Sequence, residues 1–254
     1  MKASIMLPKY KSITAGLIPY NKLPIRCNNE RGLIVEKSDT PRWISLENPV
    51  SSIEKNMIRM KLDTLTMDIV ALVSILNTEY QSYSARKRFK NDSSKIKEYY
   101  SDRIGDIGMS KTINYDRIEL PYSMHFETRY ETEKLDNNVV IKPFLNLPLP
   151  KNKLTQKGRT YPVDFIYPWE YIFESTLEIP SNYSIANIPD GYKLANELAE
   201  INLNYSLDKN ILIVKGNYKF KKSIYIAREY ARIKYYFDQI VKEFNQPIVL
   251  ERSN

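Results

Sequence analysis

Between residues 57 and 63, apolar Ile58, Met60 and Leu62 alternate with polar Arg59, Lys61 and Asp63. That two-residue period predicts a strand with one wet face. The apolar run Ile69-Val70-Ala71-Leu72-Val73-Ser74-Ile75-Leu76 reads as a second, buried strand paired with the first. The spacing then changes. Phe89, Ile96, Tyr99, Tyr100 and Ile104 fit a helical stripe, and Asp92, Ser93 and Ser94 can cap its second part, so a helical insert at 84–104, broken near Asn91, is predicted.

Alternation returns over residues 118–131. Ile118, Leu120, Tyr122, Met124, Phe126, Thr128 and Tyr130 fall on one face, and Glu119, Ser123, His125, Glu127, Arg129 and Glu131 on the other. This predicts an amphipathic strand, which Pro121 assigns to an edge or a bulge because proline removes a ladder donor. Pro143, Pro148, Pro150 and Gly158 mark residues 142–162 as a connecting loop, with a domain boundary near 155. Beyond it, Tyr171, Phe173, Leu177 and Ile179 predict one strand. Ile201, Leu203, Tyr205 and Leu207 predict another, which turns at Asp208-Lys209-Asn210 and returns through Leu212, Val214, Tyr218 and Phe220 as a hairpin. Ser223 reads as the start of a C-terminal helix at 224–244, because Tyr230, Ile233, Phe237, Ile240 and Phe244 recur at three- and four-residue steps. Ile248-Val249-Leu250 closes as a strand. The pattern as a whole predicts a mainly β protein with two β-sandwich-like regions, 50–154 and 155–254. Residues 1–49 form an appendage in which 32–36 and 42–46 are brief strands.

Composition adds few constraints. A chain of 254 residues with 43% hydrophobic content, 20 Tyr and 8 Phe can bury a core without disulfides. Its single Cys leaves the redox compartment open. The apolar run at the start stops at Pro8, which is short for an export signal, and the run 69–76 is under half of the roughly 20 residues that cross a bilayer. A net charge of +8 invites a polyanion, but acidic residues are interleaved almost throughout. The densest basic cluster, Arg86-Lys87-Arg88-Phe89-Lys90, reads as a solvated face rather than a nucleic-acid site.

Candidate chemistry is sparse. Cys27 and His125 have the order of a nucleophile and its base, yet Cys27 sits in a turn-rich stretch and His125 on the polar face of its strand. Zinc ligands are too few, Asp136-Asn137-Asn138 reads as a turn rather than a calcium loop, and no glycine-rich phosphate loop occurs. Glu127 with Glu131 and Glu170 with Glu174 are carboxylate pairs too common to single out. Trp43, Trp169, Tyr161, Tyr167 and Tyr171 serve a β core or, alternatively, stack on sugars. The sequence therefore assigns no catalytic, cofactor-binding or metal-binding residue.

One resemblance extends this reading. Pro19-Tyr20-Asn21-Lys22-Leu23-Pro24-Ile25-Arg26-Cys27-Asn28, Gly32-Leu33-Ile34-Val35 and Trp43-Ile44-Ser45-Leu46 resemble the segment after the catalytic core of bacterial transglutaminase-like proteins. Arg159-Thr160-Tyr161-Pro162-Val163-Asp164-Phe165, Leu177-Glu178-Ile179-Pro180-Ser181-Asn182-Tyr183, Ile188-Pro189, Glu229-Tyr230 and Gln246-Pro247-Ile248-Val249-Leu250 resemble their closing β domain of unknown function. The resemblance implies a relative without the Cys-His-Asp triad. Cys27 matches the post-core loop, no residue matches the triad His, and Lys11-Ser12-Ile13-Thr14 stands where the Asp belongs. It further implies a non-enzymatic accessory role beside a transglutaminase-like catalytic domain or an envelope polymer, in an exported setting. A carbohydrate- or peptidoglycan-binding module is the first alternative, and a basic nucleic-acid binder the second.

Overall fold

A computed structural model of the chain describes residues 16–19, 22–28, 31–35, 40–46 and 50–253. The readings of residues 1–9 and 11–14 lie outside them. Strand accounts for 44% of the chain and helix for 19%, which makes the protein mainly β.

After a 3-10 turn (Ile25–Cys27) come β1 (Arg31–Ile34), β2 (Arg42–Ser45), β3 (Ser52–Leu62), β4 (Ile69–Asn77), α1 (Glu79–Phe89), α2 (Ser93–Ile104), β5 (Asp106–Ile113), β6 (Tyr122–Tyr130), β7 (Glu133–Leu135) and β8 (Asn138–Ile141). The second half holds β9 (Val163–Asp164), β10 (Trp169–Glu178), β11 (Tyr183–Asn187), β12 (Tyr192–Ala195), β13 (Ala199–Asp208), β14 (Ile211–Phe220), β15 (Ile224–Tyr225), α3 (Tyr230–Phe244) and β16 (Ile248–Arg252). Eight strands form one sheet in the order β12-β13-β14-β10-β3-β4-β6-β5. All neighbours in it are antiparallel except β3 and β10, which run parallel in continuous register from Ser52 against Trp169 to Lys61 against Glu178. The loop around residue 155 separates β8 from β9 in sequence, but strands from both sides of it share this sheet and one hydrophobic core.

The period-2 residues explain which face is buried. Ile58, Met60, Leu62, Val73, Ile75, Met124, Phe126, Phe173, Leu177, Val214 and Phe220 point inward, each at most 7% exposed. The other face stays open at Val70 and Leu72, which are 41% and 51% exposed. Two helical layers cover the inner face. The α1–α2 hairpin packs under β3, β4, β5 and β6, and α3 packs under β13. A four-stranded sheet, β11-β16-β8-β7, completes the core with buried Val139, Ile141, Ile248 and Leu250.

Local chemistry sets the element ends. α1 stops at Lys90, whose φ of 55° leaves the helical region, and α2 starts where Asp92 Oδ1 accepts the Ser94 N–H at 3.0 Å. Gly105 ends α2 at φ +89°, where a Cβ would strike the Arg129 carbonyl oxygen. Every stripe residue of α3, Tyr230, Ile233, Phe237, Ile240 and Phe244, is buried.

Two expectations need correction. The C-terminal helix starts later than Ser223: β15 (Ile224–Tyr225) and a 3-10 turn (Ala227–Glu229) precede α3, and Glu229 Oε2 accepts the Ile226 N–H. Pro121 does not mark an edge, because β6 begins after it at Tyr122 and lies between β4 and β5. Among the described residues, no helix is long and apolar enough to cross a membrane.

Candidate functional site

Extending the β3 alternation backwards from Ile58 exposes an anomaly. The residues in phase with the buried Ile58, Met60 and Leu62 are Asn56, Glu54 and Ser52, so a run of polar side chains occupies core-facing positions. Register carries this polarity across the sheet. Tyr218, Tyr171, Glu54, Asn77 and Tyr122 are consecutive cross-strand neighbours on β14, β10, β3, β4 and β6. A buried polar row of this kind is unfavourable unless partnered, and here partners are missing. Asn77 is 2% exposed and its Nδ2 has no hydrogen-bond partner; Asn56 is fully buried and its Oδ1 has none.

Above this row the two helical layers fail to meet. The α1–α2 hairpin covers one half of the sheet and α3 the other, and a cavity of about 670 Å³ lies between them. Its floor is Glu54, Asn77, Tyr171 and Tyr218. One wall is Gln81, Ser84 and Arg88 of α1 with Tyr99, Tyr100 and Arg103 of α2, and the facing wall is the loop 147–154 with Phe165, Tyr167, Trp169 and Phe237. The volume is in the range that holds a small ligand.

The electrostatics are unusual for a core. Burial pushes the Glu54 carboxyl above its ordinary range, against the lowering effects of the Asn56 hydrogen bond at 3.2 Å and the Arg103 and Arg88 charges. Glu54 has no ion-pair partner among the described residues, and it lines the cavity. Burial also raises the hydroxyls of Tyr100, Tyr171 and Tyr218, so all three remain protonated donors. Gln81 Nε2 donates to Tyr171 Oη at 3.4 Å. At the mouth the sign reverses. Arg88 is exposed and lies 4.6 Å over the Tyr99 ring, Lys153 is exposed, and Arg103 Nη2 donates to the Asn146 and Leu147 carbonyls at 3.0 and 3.1 Å. The site is thus an aromatic chamber with a carboxylate at its base and a cationic rim.

The residues singled out by sequence alone do not converge. Cys27 ends the 3-10 turn, in a segment tied to the helical side of the sheet: Tyr80 Oη of α1 donates to Leu23 O at 3.0 Å and to Asn28 Oδ1 at 3.2 Å. His125 projects from the opposite face, because its neighbours Met124 and Phe126 are the buried ones. It lines a shallow cleft with Leu72, Met109, Lys111 and Glu127, and its Nδ1 lies 2.8 Å from Ser74 Oγ. Burial, then the Lys111 charge, lowers the His125 pKa. This pair can pass a proton, but among the described residues no carboxylate hydrogen-bonds the ring. Nor do the described residues hold a group of three His, Cys, Asp or Glu that could bind a metal.

Other candidates resolve individually. Glu170 receives Asn217 Nδ2 and Lys219 on the sheet's outer face. Trp169 and Tyr171 pack edge to face with centroids 5.3 Å apart, and Trp169 also meets Phe165 and Phe220. The rings of Trp43 on β2, Tyr161 in the loop before β9 and Tyr235 on α3 are exposed. The basic cluster departs most from expectation. Arg86 is 1% exposed and donates to the carbonyls of Asn114, Arg117 and Leu120 at 2.5 to 3.2 Å, while Lys87, Arg88 and Lys90 remain exposed.

Comparison with known proteins adds a partial match. A family described as a domain of unknown function with a solved structure (DUF3858) matches residues 137–250, from β8 to β16 and less than half of the chain. No curated protein matches. Among solved structures, one described as a "putative protease" from Parabacteroides distasonis ATCC 8503 aligns at 8% identity with a TM-score of 0.39. The alignment covers 46% of this chain and 24% of that one, so this chain spans about a quarter of the structure it matches. The family match thus locates a similarity of unassigned function in residues 137–250.

Proposed function

We propose that this chain is a non-catalytic, ligand-binding accessory module of a transglutaminase-like protein, working beside a catalytic domain in the cell envelope. The observation that carries the binding role is the chamber above Glu54. It combines a carboxylate without an ion-pair partner, the unpartnered Asn77 amide donor and aromatic walls at a place where the two helical layers part. Fold stability alone would favour apolar residues at these positions, since burying an unpaired charge opposes folding. Their presence here is what a ligand would require. The non-catalytic half of the reading is supported by the separation of Cys27 and His125 to opposite faces of the sheet. The family match over residues 137–250 supports kinship with a β domain, and the transglutaminase-like kinship rests on the sequence resemblance.

The test is twofold. The purified chain should show no transamidation or peptide hydrolysis above background, and Cys27→Ala and His125→Ala should change nothing. Turnover lost in Cys27→Ala would overturn the non-catalytic reading. In parallel, Ser84→Phe, which places a ring in the chamber, should abolish ligand-induced changes in Trp169 fluorescence. Binding that survives this plug would remove the chamber from the account.

A further inference from the structure

The chamber has a polarity gradient that defines its occupant. At the floor, a carboxylate without an ion-pair partner stands beside an amide donor with no acceptor, Glu54 next to Asn77 Nδ2. Around them are the rings of Tyr100, Tyr171 and Tyr218, whose hydroxyls burial keeps protonated. A carboxylate without a counter-ion among aromatic rings is an arrangement that stabilises an organic cation, because the anion attracts it where the effective dielectric is below that of water. The orphaned Asn77 donor needs a carbonyl within a few ångströms of that cation. The mouth holds the opposite charge, Arg88 and Lys153, both exposed.

We propose that the chamber binds a short peptide by its amino end: the terminal ammonium on Glu54, the first carbonyl oxygen on Asn77 Nδ2, the first side chain against the tyrosine rings, and the free carboxylate at Arg88 and Lys153. This assignment rests on the reading of the chamber as a binding site and adds the ligand's class. It accounts for Glu54 and Asn77 Nδ2, the two groups that the fold leaves unmatched at the chamber floor. A neutral sugar leaves Glu54 unpaired, and a polyanion meets the carboxylate at the floor, so neither fits as well. Ligand binding also changes the state of Glu54. Its carboxyl is held up by burial, and an incoming ammonium favours the ionised form, so affinity falls as acid protonates it. The Arg88 and Arg103 charges face the same carboxylate, and burial keeps the neighbouring hydroxyls of Tyr100, Tyr171 and Tyr218 protonated, which leaves Glu54 as the group that titrates.

The experiment is equilibrium titration of the full chain, followed by tryptophan fluorescence and ligand-observed NMR. The probes are phenylalanylalanine, its N-acetyl derivative, its C-terminal amide, and N-acetylglucosamine. The free dipeptide should bind. N-acetylation should weaken it by about tenfold or more, as loss of a buried charge-assisted contact does. Amidation should weaken it by a smaller factor, since the rim is exposed. Glu54→Gln should weaken the free dipeptide by about tenfold and leave the N-acetyl form nearly unchanged. Because the acetylated probe tests the same contact from the ligand side, a poorly folding Glu54 variant would not rescue the proposal. Equal binding of free and acetylated dipeptide, or no binding of the dipeptide at all, overturns it. N-acetylglucosamine binding that Ser84→Phe abolishes would overturn the peptide assignment while sparing the chamber. Probe binding that Ser84→Phe leaves intact would overturn both.

Discussion

At the scale of single residues, the strongest constraints are polar groups in apolar surroundings. Arg86 keeps its charge in the interior because three backbone carbonyls, those of Asn114, Arg117 and Leu120, surround its guanidinium. Removing the donor leaves those carbonyls unsatisfied, so Arg86→Ala should destabilise the protein by about 3 kcal/mol in urea denaturation, while Lys87→Ala should change it by less than about 0.5 kcal/mol. His125 supplies a cleaner pH signal, as it is the one histidine of the chain. Its folded pKa lies below the ordinary 6.5, so the unfolded state binds more protons in the window just below that value. Stability should therefore be complete above about pH 6.5 and decline as the pH falls through the folded pKa. Melting temperatures measured from pH 7.5 to 5 should show this decline, and His125→Gln should remove that part of it. None of these features was evident in the linear pattern. Arg86 looks like its exposed neighbours Lys87 and Arg88, and only the turn of α1 toward the loop after β5 separates them.

At the scale of elements, the sheet was largely legible and the reasons are physical. β4, β6, β13, β14 and α3 each bury one face, so their apolar residues recur at the period of the structure. The polar half of β3 was not legible as site, because the alternation window begins at Met57 and the inward polar residues precede it. A search for polar residues in phase with a neighbouring core stripe would have found Ser52, Glu54 and Asn56. Their partners come from β4, β10, β14 and both helices of the hairpin, whose register no linear pattern encodes. Packing between α3 and the sheet is tight enough to test. A Cβ on Gly216 would come within 2.7 Å of the Phe244 ring. Gly216→Ala should destabilise by about 1–3 kcal/mol, and the loss should shrink when Phe244 is replaced by the more yielding leucine. Additive effects in chemical denaturation would contradict this contact. Phe244→Ala alone, at a fully buried position against Phe144, Phe173 and Tyr218, should lose about 3–5 kcal/mol.

At the scale of the whole molecule, one eight-stranded sheet joins both halves through the parallel pairing of β3 and β10. A fragment of residues 155–254 lacks β3 and presents β10 as a bare edge, so it should aggregate or remain unfolded, whereas the full chain should unfold in one cooperative transition. Independent melting of the two halves would contradict the shared core. The same architecture creates the chamber, since two helical layers on one sheet leave a seam, and the chain places a carboxylate there that its own fold does not pair. Whether that carboxylate serves binding or stability is the central question. Because its folded pKa is raised, its contribution to stability is fully present below the unfolded value and is lost as pH rises through the folded one. The most direct measurement is the melting temperature of Glu54→Gln and wild type at pH 4 and pH 7. A carboxylate kept for a ligand predicts that the variant is more stable than wild type at pH 7 and close to it at pH 4; a variant less stable at pH 7 would make Glu54 a structural residue and contradict the account.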